Sequence, residues 1–184
     1  MRKEDARRLA LSNRPKDNKD ISKFIIDDIY NSGVLDKYNH IGIYYPLGKE
    51  IDIMDIMNKY PNKSFYLPKT EDDIYFIKYN LGENLCDGPF KTKEPNGDIT
   101  PRDIIECFII PCVAISKDNK RVGYGKGYYD RYLNNYNGLK IGICYNNASD
   151  MDIDMDIFDV KLDIKFTRWL INDKCCIING RYWK

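Results

Sequence analysis

The stretch RVGYGKGYYDRYL, residues 121–133, puts glycine at positions 123, 125 and 127, with Lys126 between the last two. Glycines so spaced let backbone N–H groups converge and let a ligand approach the chain closely. Arg121 and Lys126 add full positive charge, the first able to grip two phosphate oxygens and the second acting as a point charge. The spacing predicts a helix directly after the glycines, whose partially positive end would add to the field. Asp130, just past the turn, could hold Mg²⁺ through oxygen. These are the parts of a polyphosphate site. The competing reading is a strained loop whose tyrosines plug the core. Two familiar phosphate loops are excluded. The glycines are two apart throughout, which breaks G-x-G-x-x-G, and Gly127 is followed by Tyr128 rather than by Lys and a hydroxyl, which breaks the P-loop.

The elements that must hold this loop can be read from periodicity. MRKEDARRLALS and ISKFIIDDIY are helical, the second with Ile21, Phe24, Ile25 and Ile29 on one face and Gly33 to end it. HIGIYYP alternates as a strand stopped by Pro46, and IDIMDIMNKY has helical spacing at Ile53, Ile56, Met57 and Tyr60. SFYLP, DIYFIKY, ECFIIP, LKIGICY, VKLDIKF and CCIIN read as strands, and YYDRYLNN as a helix. CDGPFKTKEPNGDITPRD, rich in Gly, Pro and charge, reads as a long loop. Several strands are apolar on both faces and alternate with helices. That predicts an α/β fold, a three-layer sandwich around a mostly parallel sheet, with ligands beyond the carboxyl ends of the strands. The 184 residues are expected to form one domain, residues 1–184.

Composition narrows the function classes. Lys and Arg total 29 against 28 Asp and Glu, so no basic excess marks a nucleic-acid binder, and no nucleic-acid partner is expected. The six cysteines form no C-x-x-C pair and His40 is the sole histidine, so no zinc site is expected, and the cysteines read as reduced core thiols. His40 itself reads as structural. No apolar run of about 18 residues suggests a membrane span, and a cytoplasmic location is expected. DMDIDMDIFD imitates the start of a calcium loop, but Met155 stands where that loop needs glycine and Lys161 where it needs glutamate.

The run IIPCVAISKDNKRVGYGKGYYDRYL resembles the 5-formyltetrahydrofolate cyclo-ligase family, and the basic N-terminal helix, YPLGKEIDI, KEPNG and FDVKLDIKFT follow in that family's order. The resemblance implies ATP- and Mg²⁺-dependent closure of 5-formyltetrahydrofolate, polyglutamylated or not, to 5,10-methenyltetrahydrofolate, by a monomer or weak homo-oligomer. It implies catalytic roles for Lys126 and Arg121. ATP contacts would come from Lys3, Arg7, Arg121 and the run Gly123, Tyr124, Gly125, Lys126, Gly127, Tyr128 and Tyr129. Folate contacts would come from Tyr45, Glu50, Tyr124, Gly125, Lys126, Gly127 and Tyr128, and metal contacts from Asp130 and Asp159. The chain departs from the family pattern at Ser116 (commonly Asp), Asn119 (commonly Gly), Ile53 (commonly Thr) and Phe158 (frequently His). Without the resemblance, Lys3 and Arg7 would read as a solvated face, Glu50 as a surface carboxylate at a helix start, and Asp159 as a residue flanking a strand. The rival to an enzyme is a non-catalytic folate- or nucleotide-binding protein of the same fold.

Overall fold

The structure, a computed structural model, describes residues 1–168. Along the chain run α1 (Lys3–Ser12), α2 (Lys19–Ser32), β1 (His40–Gly42), α3 (Ile56–Lys59), β2 (Ser64–Thr70), β3 (Ile74–Tyr79), β4 (Cys86–Asp87) and β5 (Lys93–Glu94). There follow β6 (Cys107–Pro111), β7 (Ala114–Ile115), β8 (Arg121–Val122), α4 (Tyr128–Tyr132), β9 (Leu139–Tyr145) and β10 (Ile164–Arg168). Six strands form the central sheet in the order β10–β9–β6–β1–β2–β3. Every neighbouring pair is parallel except β2–β3, which closes one edge as an antiparallel hairpin. The expected strand CCIIN lies outside the described residues.

Why the sheet is central follows from β6. All five of its residues are buried. Cys107 and Ile109 point into one core, and Phe108 and Ile110 into the other. A strand apolar on both faces needs cover on both sides. On the first side lie Ile21, Ile25 and Ile29 of α2, four residues apart, with Ile56 of α3. On the second lie Ala6 and Ala10 of α1, packed with Phe76, Val122 and the tyrosines of α4. Small residues on α1 let it sit close to the sheet. The three layers are those expected from the sequence.

Several boundaries differ from the expectation, each for a local reason. Phe24 does not join the buried face of α2; it is 39% exposed, beneath the Arg168 guanidinium at 5.6 Å, and Ile26 is buried instead. Strand pairing of HIGIYYP ends at Gly42, after which Ile43 still donates to Tyr66 O at 2.8 Å before the chain turns away. The helix around IDIMDIMNKY shrinks to the single turn of α3, because Ile51 and Ile53 are buried in extended chain and Asp52 Oδ1 accepts the Met54 N–H at 2.9 Å. The long loop carries the short β4–β5 ribbon. Within it Phe90 and Lys91 adopt left-handed φ of 60° and 62°. Glu94, at its end, is buried and accepts from Thr70 N and Thr92 Oγ1, both at 3.1 Å, which ties the loop to the end of β2.

Between β6 and the glycines stands not a bare turn but the β7–β8 hairpin. Its tip holds Asn119 at φ 58°, a conformation asparagine tolerates, so replacing the family's glycine there leaves the turn intact. Ser116 is buried and its Oγ accepts the Lys120 N–H at 3.1 Å. VKLDIKF joins the sheet only from Ile164, since Leu162 N instead donates to Asn119 O at 2.8 Å. Cys107, Cys112 and Cys144 are buried free thiols and Cys86 is exposed; burial pushes the Cys112 thiol up to about 12. His40 Nδ1 lies 2.7 Å from the Tyr66 hydroxyl at the amino end of β1, away from the strand ends discussed below. Among the described residues, no helix is long and apolar enough to cross a membrane.

Gly42 is the tightest point of the sheet. A methyl group there would overlap the ring of Phe108, which is wholly buried. Gly42→Ala is expected to cost about 1–3 kcal/mol of unfolding free energy, read from urea denaturation.

Candidate active site

The carboxyl ends of β1, β2 and β6 open onto a cavity of about 470 Å³. That lies within the usual range for small-molecule sites, about 300–1,000 Å³. Tyr44 and Tyr45 reach it just past β1, Pro68 and Thr70 from β2, and Pro111 from β6. Lys3 and Arg7 enter from α1, Glu50 and Leu47 from the segment before α3, and Phe90 and Thr92 from the loop beyond β4. The glycine loop closes one wall with Gly123, Tyr124, Gly125, Lys126 and Gly127, followed by Tyr128, Tyr129 and Asp130; Asp159 stands at the same end. Residues 3 to 159 of the chain thus meet around one space, and every residue that the sequence singled out for chemistry lines it.

The glycines serve the backbone in two ways. Gly125 and Gly127 sit at φ 100° and 70°, where a side chain would be strained. Gly123 is needed for room: a Cβ there would lie 2.5 Å from Arg121 Nη1. Arg121 is buried, donates from Nε to Pro111 O at 2.8 Å, and stacks its guanidinium over the Tyr129 ring at 4.6 Å. Arg7 Nε donates to Gly123 O at 2.7 Å, which fastens α1 to the loop. Lys126 is exposed, its ammonium 5.5 Å from the centre of the Phe90 ring. One cation is therefore built into the wall and another stands over the opening. The helix after the glycines is shorter than expected. With five residues, α4 supplies little dipole, so the loop amides and the cations carry the positive field.

At the same end, Lys3 Nζ donates to both oxygens of Asp159, each at 2.7 Å, and to Asp156 Oδ2 at 2.6 Å. Burial works against the Lys3 charge, but these two carboxylates outweigh it and raise the ammonium above its ordinary value. Asp159 Oδ2 also accepts the Asp156 N–H at 2.6 Å, and Asp130 Oδ1 accepts the Val160 N–H at 3.2 Å. Among the described residues no group of three or more His, Cys, Asp or Glu could hold a metal ion alone. Asp130 and Asp159, two of the three carboxylates lining the cavity, nonetheless fit Mg²⁺, which takes one or two carboxylates and completes its shell from phosphate and water.

Glu50 lines the same cavity. It is 6% exposed, and its Oε2 accepts the Leu47 N–H at 2.8 Å. It is neither on the surface nor at a helix start. Burial pushes its carboxyl up, against the opposing pull of the Leu47 N–H and of Arg14, Tyr124 and Arg121. Arg14 is the residue that sequence reading passed over. It lies beyond α1 in no motif, yet it is 9% exposed and its Nη1 donates to the Tyr124 hydroxyl at 2.8 Å, across 110 positions of chain. Phe90 and Thr92 were hidden for a different reason, inside a segment that reads only as loop. Two departures from the family pattern prove remote. Ser116 is buried in the hairpin, and Phe158, 75% exposed, does not line the cavity.

The fold and the cavity define an α/β protein with its ligand site beyond the parallel strands. The chain belongs to the 5-formyltetrahydrofolate cyclo-ligase family, whose profile matches residues 4–166. The 5-formyltetrahydrofolate cyclo-ligase of Mycoplasma pneumoniae is 35% identical over 140 residues, covering 73% of this chain and 73% of that one. The enzyme of the same name from Mycoplasma genitalium is 46% identical over 71 residues, covering 38% of this chain and 42% of that one. Among solved structures, the 5,10-methenyltetrahydrofolate synthetase of Aquifex aeolicus superposes with a TM-score of 0.79 at 25% identity, over 100% of this chain and 97% of that one. The synthetase of Mycoplasma pneumoniae gives a TM-score of 0.71 at 28% identity, over 95% and 100%.

The buried carboxylate has a measurable cost. The folded protein holds the Glu50 proton more tightly than the unfolded chain does. This contribution to stability is complete below the ordinary carboxylate range and is lost as pH rises through the raised value. Glu50→Gln is expected to melt above the native protein at about pH 7.5 and level with it at about pH 4, by calorimetry.

Proposed function

We propose that the protein couples ATP hydrolysis, with Mg²⁺, to cyclisation of 5-formyltetrahydrofolate, forming 5,10-methenyltetrahydrofolate, ADP and phosphate. One observation carries this reading: a buried carboxylate and a cation-flanked glycine loop line a single cavity. Glu50 suits the donor edge of a pterin, which presents a ring N–H and an amino group side by side. The glycine loop, with Arg7, Arg121 and Lys126, suits a triphosphate. A molecule that spans the two ends brings the formyl group on nitrogen 5 up to the terminal phosphoryl group.

That juxtaposition answers a chemical need. The formyl oxygen on nitrogen 5 belongs to an amide and is a poor leaving group. Attack of this oxygen on the γ-phosphorus, with departure of ADP, turns it into a phosphate ester. Nitrogen 10 then attacks the activated carbon, and phosphate leaves with the former formyl oxygen and the nitrogen 10 proton. No protein nucleophile is needed. The chain's residues position the partners and neutralise charge, which is how most phosphoryl transfer is catalysed. Lys126, exposed over the opening, is the cation free to follow the transferring group, while Arg121, locked to Pro111 and Tyr129, holds the phosphates in place. Asp130 and Asp159 are the carboxylates that would hold Mg²⁺, which offsets charge on the phosphate oxygens. The mutual pair of Lys3 and Asp159 keeps both charges satisfied until phosphates and metal arrive. Tyr45 and Tyr128 supply aromatic wall between the two ends.

Formation of the methenyl product is followed by its absorbance, with ATP and Mg²⁺ added or withheld. Turnover that requires both supports this reading; tight folate binding with no ATP-dependent product would make the protein a non-catalytic binder. Lys126→Ala is expected to lower kcat by about 10²–10³-fold, the typical loss when one charge-stabilising donor is removed, with folate affinity nearly unchanged. An unaltered kcat in that variant would remove Lys126 from the chemistry.

A further inference from the structure

Glu50 is held from more directions than a ligand-binding carboxylate strictly requires. Its backbone carbonyl accepts from Asn18 Nδ2 at 2.7 Å. The same Asn18 group reaches the Tyr145 hydroxyl at 3.0 Å, and that hydroxyl donates to Lys49 O at 2.9 Å. The main chain at 49–50 is therefore pinned. The carboxylate accepts the Leu47 N–H, and the hydroxyl of Tyr124, a residue of the glycine loop that lines the same cavity, favours its charged form. Behind Tyr124 stands Arg14, which donates to that hydroxyl and lies over the rings of Tyr124 and Tyr145 at 5.7 and 5.9 Å.

We propose that Arg14 is a positioning residue that ties the Glu50 carboxylate to the glycine loop through Tyr124, so that the folate end and the phosphate end of the cavity are set together. This rests on the assignment of Glu50 to folate made above.

Three features favour the role over simple packing. First, the Nε–H of Arg14 is buried without a hydrogen-bond partner among the described residues, which costs stability. Second, Arg14 stands two residues beyond α1, the helix that brings Lys3 and Arg7 to the cavity, and borders a small space behind the cavity wall together with Glu50, Tyr44 and Tyr145. Third, few charges face Glu50. Tyr44, Cys112, Tyr129 and Tyr145 surround it from the ends of β1, β6 and β9 and from α4, and burial pushes each of them up, so none is charged near neutral pH. Tyr124 is likewise raised by burial. That leaves Arg14 and Arg121 as the nearby cations, and Arg121 is already committed to Pro111 O and the Tyr129 ring. After the Leu47 N–H, Arg14 is the group that most favours the charged form of Glu50, the form able to accept two hydrogen bonds from a pterin, against its burial.

The test is a carboxyl titration of Glu50 by ¹³C NMR in the unliganded protein, paired with calorimetric affinity for 5-formyltetrahydrofolate from about pH 5.5 to about pH 8.5. In Arg14→Met the Glu50 titration should move to higher pH. Folate affinity should fall about tenfold at pH 6 and return close to native at the alkaline end. Tyr124→Phe, which keeps the ring, should shift the titration in the same direction by less. Arg14→Lys, which keeps the charge, should restore most of it. An unmoved Glu50 titration in both Arg14→Met and Tyr124→Phe overturns the proposal, as does a loss of affinity that is equal at every pH, the mark of a purely structural residue. Should the titration move while folate affinity does not follow, Arg14 does set the state of Glu50, and it is the placement of folate on Glu50 that fails.

Discussion

The architecture of the cavity depends on one buried cation. Arg121 opens β8 with its guanidinium against the Pro111 carbonyl on one side and the Tyr129 ring on the other. This clamp joins the carboxyl end of a central strand to the turn that follows it. It is also the reason position 123 must lack a side chain, since the guanidinium fills the space a Cβ would need. A charge buried in this way is tolerated only when its donors are used, and here it is paired with a carbonyl and an aromatic face rather than with a carboxylate. An unneutralised cation in the wall is what a site for anions requires. The fold thus keeps a positive charge in reserve at the one place where parallel strands end together.

Around that clamp, the two ends of the cavity obey opposite electrostatic logic. At one end the positive groups outnumber their local partners, and the carboxylates Asp159 and Asp156 are spent on Lys3. At the other a lone carboxylate is withdrawn from water and its ordinary ionisation is opposed by burial. The cavity therefore offers a ligand both signs of charge. A ligand with phosphates at one extremity and hydrogen-bond donors at the other is oriented before any shape complementarity acts. Family membership and this charge pattern are independent lines that point to the same chemistry.

The sequence exposed the sheet well because its signal is local. The doubly apolar ECFIIP and LKIGICY could only be central strands, and Ile21, Ile25 and Ile29 at intervals of four could only face a core. The glycine loop was legible for the same reason: its residues act as neighbours in the chain. What escaped was whatever depends on distant partners. Phe24 fits the helical stripe of α2, yet Arg168 rather than the core receives it. Arg14 carries no local signature at all, because its partner Tyr124 lies on another element altogether. The helix at α3 is a single turn, since buried Ile51 and Ile53 satisfy helical spacing while lying before the helix begins.

The cavity's wall draws on Lys3 near one end of the described chain and Asp159 near the other, joined directly by an ion pair. The cavity therefore depends on segments that lie more than 150 positions apart in the chain. A ligand bound there reinforces distant segments together rather than one corner of the fold. In a cell, the supply of ligand would thereby govern how long each finished copy survives degradation.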